Sequence, residues 1–236
     1  MRHFTVELEE LNQKLLEMGG LVESAIHRSV RALVDQDRDL AEQVIRDEPR
    51  INRMEMEIDG MATRLLALRQ PVARDLRFLT SALKINNDLE RIADLAVNIA
   101  QQGERLAEHA EFRVEALPFD LAGMTRKVQW MLKSSLDALV NSDTALAQEV
   151  RGSDDAVDAI HRGMYGHVEE EIVRHPAQAG VLIHLLTVSR NLERIADHAV
   201  NIAEDVIYMV QGDITRHQRK HGGAPAGEPA TPGGRS

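Results

Sequence analysis

The sequence LERIADLAVNIA occupies residues 89–100, and LERIADHAVNIA occupies residues 192–203. Eleven of the twelve positions are identical, and the single difference is Leu95 against His198. In both copies the apolar residues recur at intervals of three and four, which is the period of an amphipathic helix. A segment repeated so closely indicates a duplicated supersecondary unit. We therefore interpret the chain as two related halves that each contain this helix.

Other matching positions show how far the repeat extends. LVDQD at 33–37 aligns with LVNSD at 139–143 at an offset of 106, and Pro71 aligns with Pro176 at an offset of 105. Asp37 suits the position just before a helix, and a proline ends the helical pattern that precedes it. These breaks divide each half into three helical segments, which short connections place antiparallel in a bundle.

We predict an all-α fold of six long helices, arranged as two tandem three-helix bundles related by internal duplication. The first repeat is assigned to residues 1–110 and the second to residues 117–214. Gly19 and Gly20 form a weak point inside the first helix, because glycine is a poor helix former. Residues 217–236 are rich in Gly, Pro and Ala and lack apolar periodicity, so we expect a disordered tail there.

Composition limits both the partners and the location of the protein. The 236 residues carry a net charge of −10, which argues against a nucleic-acid partner because such proteins present a clustered basic face. Cysteine is absent, so disulfides and thiolate metal sites are excluded. Residues 1–10 contain no apolar signal segment, and no apolar stretch is long enough to span a bilayer. We therefore expect a cytoplasmic protein without direct membrane insertion.

Each copy of the repeated helix carries two acids one helical turn apart, Glu90 with Asp94 and Glu193 with Asp197. Such like-charge pairs destabilise a helix by roughly 0.2–0.5 kcal/mol, and packing does not require them. Two carboxylates at this spacing suit a hard cation such as Mg²⁺, Ca²⁺, Mn²⁺ or an iron ion. The spacing therefore predicts metal binding at these four residues.

An ordinary solvated helix face is the alternative explanation of these acids. Arg91 lies three residues before Asp94, and Arg194 lies three before Asp197, so each arginine is placed to pair with an acid. His198 follows Asp197 and is a further candidate, although a lone histidine is more often structural. The spacing alone leaves both interpretations open.

The second helix of each half supplies weaker candidates. Glu55 and Asp59 have the same spacing as the acids above, but their repeat mates are not acids. Glu48 and Asp154 do correspond between the halves. We interpret all four as surface charges.

Motifs of known enzyme classes are absent from the sequence. It contains no phosphate-binding loop, dinucleotide-binding glycine motif, H-E-x-x-H, G-x-S-x-G elbow or calcium-binding EF-hand loop. No pair of helices supplies the Glu-x-x-His motifs of di-iron bundles. We therefore expect no enzyme activity and no organic cofactor. Two alternatives stay open: a metal-dependent phosphohydrolase that uses the acid pairs, and a purely structural helical scaffold.

The repeated segments closely resemble the duplicated signature of the PhoU family, which comprises accessory regulators of the bacterial phosphate-specific transport system. The residues that carry the resemblance are NNDLERIADLAVNIA at 86–100, RNLERIADHAVNIA at 190–203 and RQPVARDLR at 69–77. The resemblance covers nearly the whole chain apart from the tail. It implies two three-helix bundles related by pseudo-symmetry. Members of the family are often homodimers, so the resemblance also implies a homodimer.

The resemblance also implies a function. Family members act as negative regulators of the phosphate-starvation response. They are thought to link the ATPase subunit of the phosphate ABC transporter to a membrane sensor histidine kinase, and to restrain uptake when phosphate is plentiful. The resemblance therefore implies these two proteins as partners of this chain.

Metal binding is a further implication of the resemblance. The Glu/Asp-x-x-x-Asp motifs of the family carry multinuclear metal clusters, and they correspond here to Glu90 with Asp94 and Glu193 with Asp197. Iron, manganese, magnesium and zinc are the metals we expect at these carboxylates. The Gly/Pro-rich tail at 217–236 lies outside the family pattern.

Overall fold

A computed structural model describes residues 2–108 and 120–212 of the chain. Within these ranges the structure consists of six α-helices and one short 3-10 turn, and contains no strand. The predicted all-α architecture is therefore confirmed, while the predicted tail at 217–236 lies outside the described residues. The helices are α1 Arg2–Asp35, α2 Arg38–Arg69, α3 Ala73–Leu106, α4 Leu121–Asn141, α5 Thr144–Arg174 and α6 Ala179–Gln211.

Two matching aspartates begin the second helix of each half. The carboxylate of Asp37 accepts a hydrogen bond from the backbone N–H of Leu40 at 3.0 Å. The carboxylate of Asp143 accepts from Ala145 and Leu146 at 2.9 and 3.0 Å. Each cap satisfies an amide that the first helical turn leaves unpaired, a contribution of about 1 kcal/mol. The predicted turns between α1 and α2 and between α4 and α5 thus occur where the sequence repeat places them.

Glycines permit close approach between helices without interrupting them. Helix α1 continues through Gly19 and Gly20. A β-carbon added to Gly19 would lie 2.9 Å from the Cδ1 atom of Leu136, because α4 passes over α1 at this point. A β-carbon added to Gly103 would lie 3.3 Å from the backbone of Leu33 on α1. The absence of a side chain at these positions therefore determines how tightly the helices pack.

The two repeated helices lie at the centre of the molecule. Helix α3 packs against α1 and α2, and α6 packs against α4 and α5, so each half is a three-helix bundle. The most extensive helix–helix contact joins α3 to α6, and a smaller contact joins α1 to α4. Small buried residues such as Ala93, Ala96 and Ala196 line the repeated helices. The nearly identical segments are thus the core through which the halves pack together.

Polar contacts fix the antiparallel register of α3 and α6. The buried carboxylate of Asp88 lies 2.8 Å from Nδ1 of His198 and accepts a hydrogen bond from Nδ2 of Asn201 at 3.3 Å. Near one end of the contact, Nζ of Lys84 lies 3.2 Å from Oδ1 of Asp205. His198 therefore has a structural partner across the interface between the halves, which agrees with the structural interpretation of a lone histidine.

No helix in the described parts of the chain combines the length and the apolar character needed to cross a membrane.

Candidate functional site

The predicted metal-binding acids fall into two separate groups, one in each half. Glu90 and Asp94 on α3 face residues of α2, and Glu193 and Asp197 on α6 face residues of α5. We call the first group the α2–α3 patch; it consists of Glu48, Asn52, Glu55, Glu90 and Asp94. We call the second group the α5–α6 patch; it consists of Asp154, Asp158, Glu193 and Asp197. The structure therefore brings each predicted pair together with residues of the preceding helix.

A side-chain contact sets the register of the α2–α3 patch. Nδ2 of Asn86 on α3 donates a hydrogen bond to the backbone carbonyl of Glu55 on α2 at 3.0 Å. Because the helices are antiparallel, one turn further along α3 places Glu90 level with Asn52, and a second turn places Asp94 level with Glu48. Residues that are distant in sequence thus meet at one surface.

The surroundings of Glu90 shift the pKa of its carboxyl group upward. Burial raises the pKa of Glu90 above its ordinary value, and the charge of Asp94 raises it further. The carboxylates of Glu55 and Glu48 on α2 add smaller contributions in the same direction, while Arg91 lowers the pKa. The α2–α3 patch is therefore a place where negative charge is crowded and partly desolvated.

Arg91 forms ion pairs with both predicted ligands of this patch. Its Nε atom lies 3.4 Å from Oε2 of Glu90, and its Nη1 atom lies 3.8 Å from Oδ2 of Asp94. The pairing expected from the spacing alone is therefore present in the first half. Arg91 is itself largely exposed, so the pairs contribute little to stability but occupy the carboxylates.

The α5–α6 patch has an equivalent register but different chemistry. Nδ1 of His161 on α5 lies 2.8 Å from Oγ of Ser189 on α6, at the positions that match Glu55 and Asn86 in the first half. Burial lowers the pKa of His161. A histidine–serine contact thus replaces an asparagine–carbonyl contact while the helices keep the same alignment.

Both carboxyl groups of the second predicted pair are electrostatically perturbed. Burial raises the pKa of Glu193, and the charges of Asp158 and Asp154 raise it further. The pKa of Asp197 is also raised, first by desolvation between the helices and then by Glu193 and Asp158, although part of its side chain reaches solvent. Arg194 lowers both pKa values, but within the described residues it forms no close ion pair like those of Arg91.

Sequence reasoning missed two members of the patches. Asn52 follows Glu48 by four residues, and Asp158 follows Asp154 by four, so the same spacing occurs on α2 and α5 at an offset of 106. This spacing, repeated in both halves, could have identified Asn52 and Asp158 from the sequence. The sequence predicts Glu48 and Asp154 as surface charges, and the structure leaves both of them partly exposed.

The donor atoms of the patches suit a hard cation, although they do not converge on one point. All are carboxylate or amide oxygens, the ligands that Mg²⁺, Ca²⁺ and Mn²⁺ prefer. Oδ1 of Asn52 is buried without a hydrogen-bond partner, which leaves an acceptor free for a cation. Over residues 2–108 and 120–212, no three His, Asp or Glu side chains come close enough to hold an ion as they stand.

Comparison with known proteins places this architecture among described relatives. A family model described as the PhoU domain matches residues 15–103 and 121–206. A phosphate-specific transport system accessory protein PhoU homolog of Pseudomonas aeruginosa is 38% identical over 216 residues, covering 92% of this chain and 88% of the relative. The homolog of Caulobacter vibrioides with the same description is 36% identical over 219 residues, covering 93% and 94%.

Solved structures agree with the sequence comparison. The crystal structure of PhoU from Pseudomonas aeruginosa superposes with a TM-score of 0.83 at 38% identity, covering 89% of this chain and all of that one. The phosphate transport system regulatory protein PhoU from Streptococcus pneumoniae superposes with a TM-score of 0.76 at 29% identity, covering 89% and 98%. The similarity thus extends over both halves and their arrangement.

Proposed function

This chain belongs to the PhoU family, and from that membership we propose that it is a cytosolic negative regulator of the bacterial phosphate-starvation response. In this role it is an accessory protein of a phosphate-specific transport system. It links the ATPase subunit of the phosphate transporter to a sensor histidine kinase and restrains uptake when phosphate is plentiful. The observation that carries the proposal is the match to accessory proteins of this name over about nine-tenths of both chains.

The duplicated fold supports a role as an adaptor. Because α3 and α6 form the centre, the outer helices of both halves present two related surfaces on one molecule. Leu68 and Val72, at the turn between α2 and α3, are 70% and 73% exposed, and Val173, the repeat mate of Leu68, is 80% exposed. Exposed large apolar residues at matching turns are suited to contacts with other proteins. One copy of the fold thus offers a contact point for each of two partners.

Metal binding is a second part of the proposal. We assign Glu90 and Asp94 of the α2–α3 patch, and Glu193 and Asp197 of the α5–α6 patch, as ligands of iron, manganese, magnesium or zinc. When bound, the metal would supply positive charge that offsets the crowded carboxylates. The chain's own residues hold the two helices of each patch in register, through Asn86 in the first half.

Deletion of the gene in its own host tests the regulatory role. We expect phosphate-starvation genes to become active in phosphate-rich medium, and phosphate uptake to rise, with both restored by a plasmid copy. Persistent repression in the deletion strain would overturn the proposal.

Binding assays with purified partners test the adaptor contacts. The transporter ATPase subunit and the cytoplasmic part of the kinase should each bind the full chain. Leu68→Asp should weaken binding of one partner, and Val173→Asp should weaken binding of the other. We also propose a homodimer, and the molar mass measured by light scattering will show it as twice 26.4 kDa.

A further inference from the structure

We propose that the segment after α6, residues 213–220, folds back onto its own molecule and docks in a cavity beside the last turn of α6, with Ile214 as its apolar anchor. This cavity, which we call the end cavity, has a volume of about 530 Å³ and lies among the N-terminal parts of α1 and α3 and the C-terminal ends of α4 and α6. Its walls include Leu8, Glu9, Asp75, Phe78, Val140 and Val210. The inference rests neither on the regulatory role nor on metal binding.

Apolar side chains of the end cavity remain in contact with solvent. Val140 on α4 is 53% exposed, and Val210 on α6 is 40% exposed. Leu8 on α1 and Phe78 on α3 form further apolar walls and are only partly buried. Apolar surface of this kind is stabilised when another apolar group removes it from water. The end cavity therefore favours an occupant that carries an aliphatic side chain.

The path of the chain brings the segment to the rim of the end cavity. Helix α6 ends one residue before Gly212, whose left-handed φ of 84° turns the chain off the helix axis. A β-carbon added to Gly212 would lie 3.6 Å from Nη1 of Arg77, which belongs to the same early turns of α3 that line the cavity. Ile214 follows the wall residue Val210 by four positions, so at most about 14 Å of extended chain separates them.

The composition of the segment suits this position. Ile214 is the one large aliphatic residue between 213 and 236, and Arg216, Arg219 and Lys220 follow it. Residues 213–236 carry a net charge of +2, whereas residues 1–212 carry −12. A short link to the body of the protein gives an effective concentration in the millimolar range, so a weak contact is enough to keep the segment docked.

Two acids of the end cavity are placed to receive these cations. Glu9 on α1 and Asp75 on α3 line the cavity, and neither forms an ion pair with a side chain that the structure describes. Arg74 is the one cation among the lining residues, so the acids outnumber the bases there. The excess of negative charge attracts a basic segment, and salt should weaken that attraction.

A distance between two spin labels in the full chain tests the docking. The sequence contains no cysteine, so Gln13→Cys, at an exposed position of α1 beside the cavity, and Gln218→Cys, in the segment, provide the two labelling sites. Dilution with an excess of unlabelled protein restricts the measurement to pairs within one chain, even in a dimer. We expect double electron–electron resonance to give one narrow distribution of short distances.

Adjacent aspartate substitutions separate the apolar anchor from a general effect of charge. Ile214→Asp should replace the narrow distribution by a broad one, because a carboxylate is not stable in an apolar cavity. Thr215→Asp adds the same charge one residue later and should leave most chains docked. Val140→Asp, on the wall of the cavity, should act as Ile214→Asp does. Circular dichroism confirms that each variant retains its helices.

The electrostatic part of the docking has its own test. Glu9→Gln combined with Asp75→Asn should lower the ratio of docked to undocked chains several-fold. Addition of about 0.5 M sodium chloride to the wild-type chain should lower it in the same direction, because salt screens exposed charges.

Three outcomes would overturn the inference. The first is a broad distribution in the wild-type chain. The second is equal broadening by Ile214→Asp and Thr215→Asp, since docking would then not depend on the aliphatic side chain. The third is loss of the short distances on dilution with unlabelled protein, which would place the segment on a second copy. The regulatory role stands or falls separately, on repression in the deletion strain.

Discussion

At the scale of single residues, the acids of the α5–α6 patch oppose folding when no cation is present. Burial and neighbouring acids raise the pKa of Glu193 and of Asp197, so ionisation of either group is less favourable in the folded protein than in the unfolded chain. The fold is therefore relatively more stable when these groups are protonated. It loses that contribution as the pH rises through their folded pKa values.

Glu193→Gln tests this sign in metal-free protein. At pH 7 the variant should be more stable than the wild type by about 0.2–0.5 kcal/mol, because a repulsive pair one turn apart is removed. The difference should shrink at a lower pH, at which the wild-type carboxyl has become protonated, because the folded pKa of Glu193 is raised. Urea unfolding in the presence of a chelator at both pH values measures it.

Glu90→Gln is the matched control for that experiment. Arg91 already offsets the charge of Glu90, so this variant should gain less at pH 7 than Glu193→Gln does. A larger gain in the first half than in the second would contradict the electrostatic difference between the patches.

At the scale of helices, the space around a glycine decides whether its replacement by alanine raises or lowers the stability of the protein. A β-carbon added to Gly20 meets nothing within 4 Å, whereas one added to Gly103 meets the backbone of α1 at 3.3 Å. A side chain at the first position only improves helix propensity, while at the second it forces α1 and α3 apart.

Gly20→Ala and Gly103→Ala should therefore have opposite effects on stability. Gly20→Ala should stabilise the protein by up to about 1 kcal/mol, the usual difference in helix propensity between glycine and alanine. Gly103→Ala should lower the melting temperature, because backbone atoms cannot move aside as a flexible side chain can. Thermal melts of both variants beside the wild type test the pair, and stabilisation by Gly103→Ala would contradict the close contact.

The positions of the helices could be predicted from local sequence signals, whereas the full set of residues that forms each patch could not. Asp37 and Pro71 act on their immediate neighbours, so the ends of α2 could be read from the sequence. The patch instead depends on the register between α2 and α3, which the Asn86–Glu55 contact fixes. A spacing along one helix identifies Glu90 and Asp94 but carries no information about which residue of another helix lies opposite. The partner Asn52 was missed for that reason.

At the scale of the whole molecule, Asp88 holds the two halves together. Its buried carboxylate contacts His198 and Asn201 on α6. Its repeat mate, Asn191, is buried in α6, and Nδ2 of that side chain has no hydrogen-bond partner. The sequence repeat predicted two similar halves. It could not predict that Asp88, which lies just outside the repeated twelve-residue segment, contacts His198, the one residue of that segment that differs between the halves.

Asp88→Ala should destabilise the protein more than Asn191→Ala. Removal of the buried acceptor leaves His198 and Asn201 without their partner, at a cost of about 1–3 kcal/mol. Asn191→Ala removes an amide whose N–H₂ group bonds to nothing, so its cost should be smaller. Denaturant unfolding of the two variants measures the difference, and equal losses would mean that the Asp88 contact contributes nothing specific.

Because of the Asp88–His198 contact, the two halves are not interchangeable at the interface between α3 and α6. In a pair made from two first halves, Leu95 would stand where His198 stands, and Asp88 would lose its imidazole partner. In a pair made from two second halves, Asn191 would face His198 in place of the carboxylate. The Asp88–His198 contact can therefore form only between a first half and a second half, so this interface joins two unlike faces although the two helices share nearly all of their repeated segment.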